Sequence, residues 1–105
     1  MRPELKDRFD QEIRNNRVVL YMKGTADFPR CGFSAAALEA LSPFGRVYTV
    51  DVLAEPEVRE GIKEYSNWPT IPQVYINGRF IGGSDIIREL AVRGELQDII
   101  EGRAS

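Results

Sequence analysis

Cysteine occurs once in this 105-residue chain and histidine not at all. One cysteine excludes a scaffold of internal disulfides. The missing histidines remove His-ligated zinc, His-based triads and Rieske-type clusters. Long apolar runs are also absent. The longest, Val18 to Met22, is far too short to cross a bilayer, so no membrane role is expected. Nor is there an excess of one charge: 14 Lys and Arg against 16 Asp and Glu leave a net charge of −2. That balance offers no field for nucleic acid or an anionic surface, and any basic patch must be local. Met1-Arg2-Pro3-Glu4 lacks the apolar stretch of a secretory signal and becomes acidic too early for an organelle presequence. A reducing, cytoplasmic compartment is expected, most simply a bacterial one. A processed organelle form with an added Met1 would read the same.

What remains has 43% hydrophobic and 29% charged residues, the balance of a soluble globular domain. The length predicts one domain, residues 1–105. Leu5, Phe9 and Ile13 recur at four-residue spacing within Glu4–Asn15, which predicts a helix. Val18–Met22 reads as a strand covered on both faces. Lys23–Arg30, with Gly24 and Pro29, reads as a loop. Phe33, Ala36, Ala37, Ala40 and Leu41 mark the buried stripe of a helix opening near Cys31. Val47–Val52 predicts a second strand. Pro56 suits the first turn of a third helix, with Val58, Ile62 and Tyr65 on its apolar face. Val74–Ile76 and Arg79–Ile81 around Asn77-Gly78 predict a hairpin, because that dipeptide matches strand twist. Ser84 or Asp85 is expected to cap a helix carrying Ile86, Ile87, Leu90 and Ala91. Arg93-Gly94 ends it, and a short helix over Glu95–Ile100 follows. The order α-β-α-β-α-β-β-α-α predicts an α/β, thioredoxin-like fold with a mixed four-stranded sheet and helices on both faces.

The cysteine lies in Cys31-Gly32-Phe33-Ser34, where Ser34 occupies the position that would complete a Cys-x-x-Cys pair. Cys31 must therefore take its partner sulfur or metal from outside the chain. At a helix start, free N–H groups and the helix dipole favour thiolate, and Lys23 and Arg30 add positive charge. An inert buried cysteine fits less well, since Pro29, Arg30 and Gly32 describe an exposed turn.

Other segments suggest a ligand beside that thiol. Arg59 and Lys63 share one helix face and can hold a carboxylate, although spacing alone favours two solvated charges. In Trp68-Pro69-Thr70-Ile71-Pro72 a cis Ile71–Pro72 bond would leave the Ile71 N–H and C=O free for an extended peptide; an ordinary kinked loop fits equally well. Gly82-Gly83 allows close backbone approach, the following helix start attracts a carboxylate, and Asp85 can accept from an ammonium group. A tripeptide with two carboxylates, one amine and one thiol matches the whole set, and glutathione has those groups.

With Lys23-Gly24-Thr25, Cys31-Gly32-Phe33-Ser34, Arg59 with Lys63, Trp68-Pro69-Thr70-Ile71-Pro72-Gln73 and Gly82-Gly83-Ser84-Asp85 in order, the chain closely resembles the monothiol glutaredoxins over nearly its whole length. Arg79 stands where that family often has Glu, and Ala26 where Pro is common; neither touches an expected ligand group. The resemblance implies the single-domain kind, glutathione binding by Lys23, Arg59, Ile71, Ser84 and Asp85 with Pro72 cis, and Phe33 and Thr70 at the border. It also implies a labile [2Fe-2S] cluster shared by a homodimer, with Cys31 as metal ligand. Ligand counting agrees: four thiolates are needed, two chains give two, and two glutathiones supply the rest. Half the ligands being exchangeable favours a carrier that hands the cluster to apo iron–sulfur acceptor proteins, with BolA-like proteins as partners implied by the family. The competing enzyme reading is reduction of protein–glutathione mixed disulfides with Cys31 as the catalytic nucleophile, for which one cysteine suffices. A redox sensor recording glutathionylation of Cys31 is a third.

Overall fold

The computed structural model describes residues 1–102; residues 103–105, the end of the expected 1–105 domain, lie outside the described residues. Helix α1 (Pro3–Asn15) begins one residue before the expected Glu4. Proline lacks the N–H that a first helical turn leaves unpaired, so Pro3 starts the helix without loss. Strand β1 (Val18–Met22) leads to α2 (Gly32–Leu41), a 3-10 turn over Ser42–Phe44, and β2 (Tyr48–Asp51). Helix α3 (Pro56–Ser66), the hairpin β3 (Gln73–Ile76) and β4 (Arg79–Gly82), α4 (Ser84–Val92) and α5 (Leu96–Ile100) complete the chain. The 3-10 turn was not foreseen. Strand β2 is shorter than 47–52, though Val52 N–H still donates to Met22 C=O at 2.9 Å. Neither Ser84 nor Asp85 caps α4; the cap position falls on Gly83, with no side-chain bond.

The sheet order is β2-β1-β3-β4, with β1 and β2 parallel and the other pairs antiparallel. β1 is buried along its whole length because its side chains alternate into two cores. Val19 and Tyr21 join Phe9 and Ile13 of α1 and Val58 and Ile62 of α3. Val18, Leu20 and Met22 join Ala37 and Leu41 of α2, Ile87 of α4 and Leu96 and Ile100 of α5. Each such fully buried aliphatic side chain contributes about 1.5–3 kcal/mol. This is the α/β, thioredoxin-like arrangement with helices on both faces of a mixed sheet. Among the described residues no helix is long and apolar enough to cross a membrane.

One expectation on α2 fails. Phe33 is not part of the buried stripe; it is 62% exposed, and Ala36 and Ala40 are only half-buried. The buried positions are Ser34, Ala37 and Leu41. Successive helical residues differ by about 100°, so a face running through Ser34 turns Phe33 outward.

The face under α1 carries edge-to-face rings. Phe9 meets Tyr21 at 5.7 Å and Tyr65 at 5.3 Å, Tyr21 meets Tyr75, and Tyr75 meets Phe80. Phe80 in turn packs on Trp68 at 5.6 Å. At the α1 end the Glu12 carboxylate accepts from Tyr21 Oη at 2.8 Å, Tyr48 Oη at 3.3 Å and Arg8 Nε at 3.2 Å. Arg8 also forks onto Glu55 at 2.9 and 3.0 Å. Burial, reinforced by Glu12, pushes the Tyr21 phenol far above its ordinary pKa and keeps it a donor. Removing the acceptor strands the buried Tyr21 hydroxyl, while Arg8 keeps Glu55: Glu12→Ala is expected to cost about 2 kcal/mol in chemical denaturation. Glu12→Gln, which keeps an acceptor oxygen, is expected to lose about 1 kcal/mol.

Candidate functional site

The strand register gathers every candidate segment at one end of the sheet. β1 runs out at Met22 into the loop that returns to Cys31. Opposite it, Tyr21 pairs with Gln73, which puts the Trp68–Pro72 loop beside that exit. Val74 pairs with Gly82, which brings Gly83 and the start of α4 to the same place.

The 23–30 loop is tied down by its own backbone. Arg30 N–H donates to Lys23 C=O at 2.9 Å, Thr25 N–H to Phe28 C=O at 3.3 Å, and Gly24 N–H to Asp51 Oδ1 at 2.9 Å. Gly24 has φ +91°, and a Cβ there would lie 2.5 Å from Phe28 O and 2.6 Å from Arg30 N. No other residue fits. The loop thereby delivers Cys31 to the cap position of α2, with extended backbone at φ −147°.

There the half-buried thiol meets the donors of the first turn. Its pKa lies below the ordinary thiol value. The Ser34 backbone N–H is the main cause, assisted by the Phe33 N–H, the Ser34 hydroxyl and the Lys23 charge, and opposed by partial burial. Ser34 is fully buried, and its Oγ accepts from Lys23 N–H at 3.0 Å.

Beside the thiol lies a groove of about 590 Å³. It brings together Lys23, Arg59, Ile71, Pro72, Ser84 and Asp85, bordered by Phe33 and Thr70. Lys63 lines it as well, so the helix face of Arg59 and Lys63 points into a cavity and not simply into solvent. Cys31 is not one of its walls; it adjoins through Lys23 and Phe33, whose charge and N–H act on its sulfur. The Ile71–Pro72 bond is cis. The Ile71 side chain is buried in the α1-side core, and its N–H and C=O have no backbone partner among the described residues. Two further donors lining the groove, Arg59 Nε and Trp68 Nε1, are buried and unpaired among the described residues.

Sequence reasoning did not assign Trp68, Pro69, Gly83 or Ile86 as walls. Only the two prolines and paired glycines hinted at them. It also gave no function to Gln73, whose fully buried side chain ties the loop from beneath. Phe28 and Phe33, 73% and 62% exposed, leave apolar surface around the thiol.

The chemistry available is that of a stabilised thiolate next to a cationic, peptide-sized groove. Rates of Cys31 alkylation against pH are expected to inflect below the ordinary thiol range. Ser34→Ala removes one donor to sulfur and strands the Lys23 N–H, so the inflection should move up; an unmoved profile would contradict the assigned cause.

The glutaredoxin family profile matches residues 18–81. A ycf64-like monothiol glutaredoxin of Synechocystis is 56% identical over 102 residues, covering 96% of this chain and 95% of that protein. The mitochondrial monothiol glutaredoxin-5 of Saccharomyces cerevisiae is 48% identical, with 93% of this chain and 68% of that protein covered. Among solved structures, reduced apo GrxS14 of poplar superposes with a TM-score of 0.83 at 45% identity, covering 94% of this chain and 92% of that one. With its one thiol at the start of α2 and its groove alongside, the chain belongs to the monothiol glutaredoxins.

Proposed function

We propose that this protein binds glutathione in the groove and, as a homodimer, carries a [2Fe-2S] cluster as cargo for transfer to apo acceptor proteins. The observation that supports it most is the pair of buried donors without a partner among the described residues, Arg59 Nε and Trp68 Nε1, on a groove that also holds Lys23, Lys63 and Asp85. Buried donors without acceptors are costly, and an anionic peptide supplies the acceptors. Glutathione's two carboxylates suit Lys23, Arg59 and Lys63 on one side and the open first turn of α4 on the other. Its ammonium suits Asp85. Its cysteine backbone suits the N–H and C=O of Ile71, which have no backbone partner among the described residues, and this leaves its thiol near Cys31.

A cluster held only by thiolates needs four of them, and each chain contributes one. Two Cys31 thiolates and two glutathione thiolates complete the set, with two chains facing each other across their thiol surfaces. Mixed complexes with a BolA-like protein would substitute one chain for another on that surface. A reducing, cytoplasmic setting keeps Cys31 in the required form.

The lowered thiol pKa also suits a second reading, reduction of mixed disulfides. Cys31 thiolate attacks the glutathionyl sulfur, and the protein thiolate leaves and takes a proton. A second glutathione thiolate then attacks the Cys31–glutathione disulfide, releasing oxidised glutathione and restoring the Cys31 thiolate.

Anaerobic reconstitution with iron, sulfide and glutathione separates the two. The carrier reading expects a brown dimer with two irons, lost without glutathione or in Cys31→Ser. A colourless monomer that deglutathionylates proteins would replace it with the reductase reading. Arg59→Ala and Asp85→Ala are each expected to weaken glutathione binding about tenfold, the worth of one charge-assisted hydrogen bond. Isothermal titration measures this on folded protein.

A further inference from the structure

We propose that Gln73 is the positioning residue of the site, a buried clamp that gives the Trp68–Pro72 loop its peptide-receiving shape. The inference rests on the reading of the groove as a glutathione site. Gln73 is the first residue of β3, next to Tyr21 of β1, and its side chain is fully buried under the loop. Its Nε2 donates to Trp68 C=O at 3.1 Å and to Thr70 C=O at 3.2 Å. Its Oε1 accepts from Tyr75 Oη at 3.3 Å. A side-chain amide has two N–H donors and a carbonyl acceptor, so both donors and the oxygen are engaged. The reverse orientation of the amide would point its oxygen at two carbonyls. Only one orientation pairs every group.

The clamp decides which polar groups the loop shows to a ligand. Trp68 C=O and Thr70 C=O are turned inward and engaged by Gln73. The residue after Thr70, Ile71, keeps its N–H and C=O without a backbone partner among the described residues, and it lines the groove. Gln73 thus withdraws two acceptors and leaves one donor–acceptor pair, the pattern an extended peptide strand matches. Trp68 is fixed at the same time. Its N–H donates to Ser66 Oγ at 3.1 Å and Lys63 C=O at 3.2 Å, and its ring rests on Phe80. The clamp oxygen is held by Tyr75, whose ring meets Tyr21, Tyr65 and Phe80, so its position is set by the aromatic core and not by the ligand.

Trp68 is the sole tryptophan, so its fluorescence reports the loop directly. The test compares wild type with Gln73→Leu in acrylamide quenching of Trp68 and in titration with reduced glutathione. The clamp predicts quenching increased about twofold and glutathione affinity reduced about tenfold, with a cooperative melt retained. Unchanged quenching overturns the clamp whatever glutathione does. If wild type binds no glutathione while quenching still rises in Gln73→Leu, the ligand reading fails and the clamp stands. Should Gln73→Leu not fold, Gln73→Glu and Tyr75→Phe serve. Glu keeps the acceptor for Tyr75 and loses both donors, but a buried carboxyl is driven toward its protonated form and then donates once. The affinity deficit of Gln73→Glu relative to wild type should therefore shrink from pH 8 to pH 5, and a deficit constant across that range overturns the proposal. Tyr75→Phe removes the donor that holds the amide oxygen and should raise quenching above wild type; quenching unchanged from wild type would also overturn the proposal.

Discussion

Strand β1 has a packed core on each face, and the site hangs from its carboxyl end. Because Val19 and Tyr21 are committed to one core and Val18, Leu20 and Met22 to the other, the strand cannot slide or rotate without exposing one set. Its exit at Met22 is therefore a fixed point. The parallel neighbour β2 brings Asp51 to hold the Gly24 amide, and the antiparallel neighbour β3 brings Gln73 beneath the Trp68–Pro72 loop. The register of β1 with its two neighbours thus places both the thiol and the groove.

Two polar side chains, the half-buried Glu12 and the fully buried Gln73, sit at opposite ends of the ring stack and do related work. Glu12 collects the phenols of Tyr21 and Tyr48 at the α1 end; Gln73 takes the phenol of Tyr75 at the groove end. Each tyrosine thus buries its ring while its hydroxyl is satisfied. The same hydrogen bonds that satisfy these hydroxyls fix the direction of each ring. Charge at the groove is treated differently. Lys23, Arg59 and Lys63 gather there although the chain as a whole is slightly acidic, so the cationic field is local and points at one cleft.

What the sequence disclosed follows the range of the interactions involved. The Asn77-Gly78 hairpin and the start of α3 at Pro56 depend on neighbours in the chain, and both form where turn and proline chemistry put them. Phe33 was misread because an apolar stripe was counted without its polar member. The inward face of α2 runs Ser34, Ala37, Leu41, and a hydroxyl gives no hydrophobic signal. The cap of α4 was misplaced because Gly83 holds the position through backbone shape alone. The groove residues were legible as separate fragments, and only the register of β1, β3 and β4 makes them neighbours. Trp68 and Ile86 as walls and Gln73 as clamp depend on what lies across the sheet, which no local pattern encodes.

The buried serine beside the thiol carries one more consequence. Ser34 Oγ accepts the Lys23 N–H, and its hydroxyl acts on the Cys31 sulfur, so the three groups form a directed relay: amide to hydroxyl to sulfur. Each link of such a relay polarises the next. A thiolate draws the hydroxyl proton toward itself, and the oxygen in turn draws harder on the Lys23 amide. The ionisation of one sulfur is thereby registered in the main chain just past β1, where the Lys23 amide proton resonance becomes a readout of whether Cys31 carries its charge.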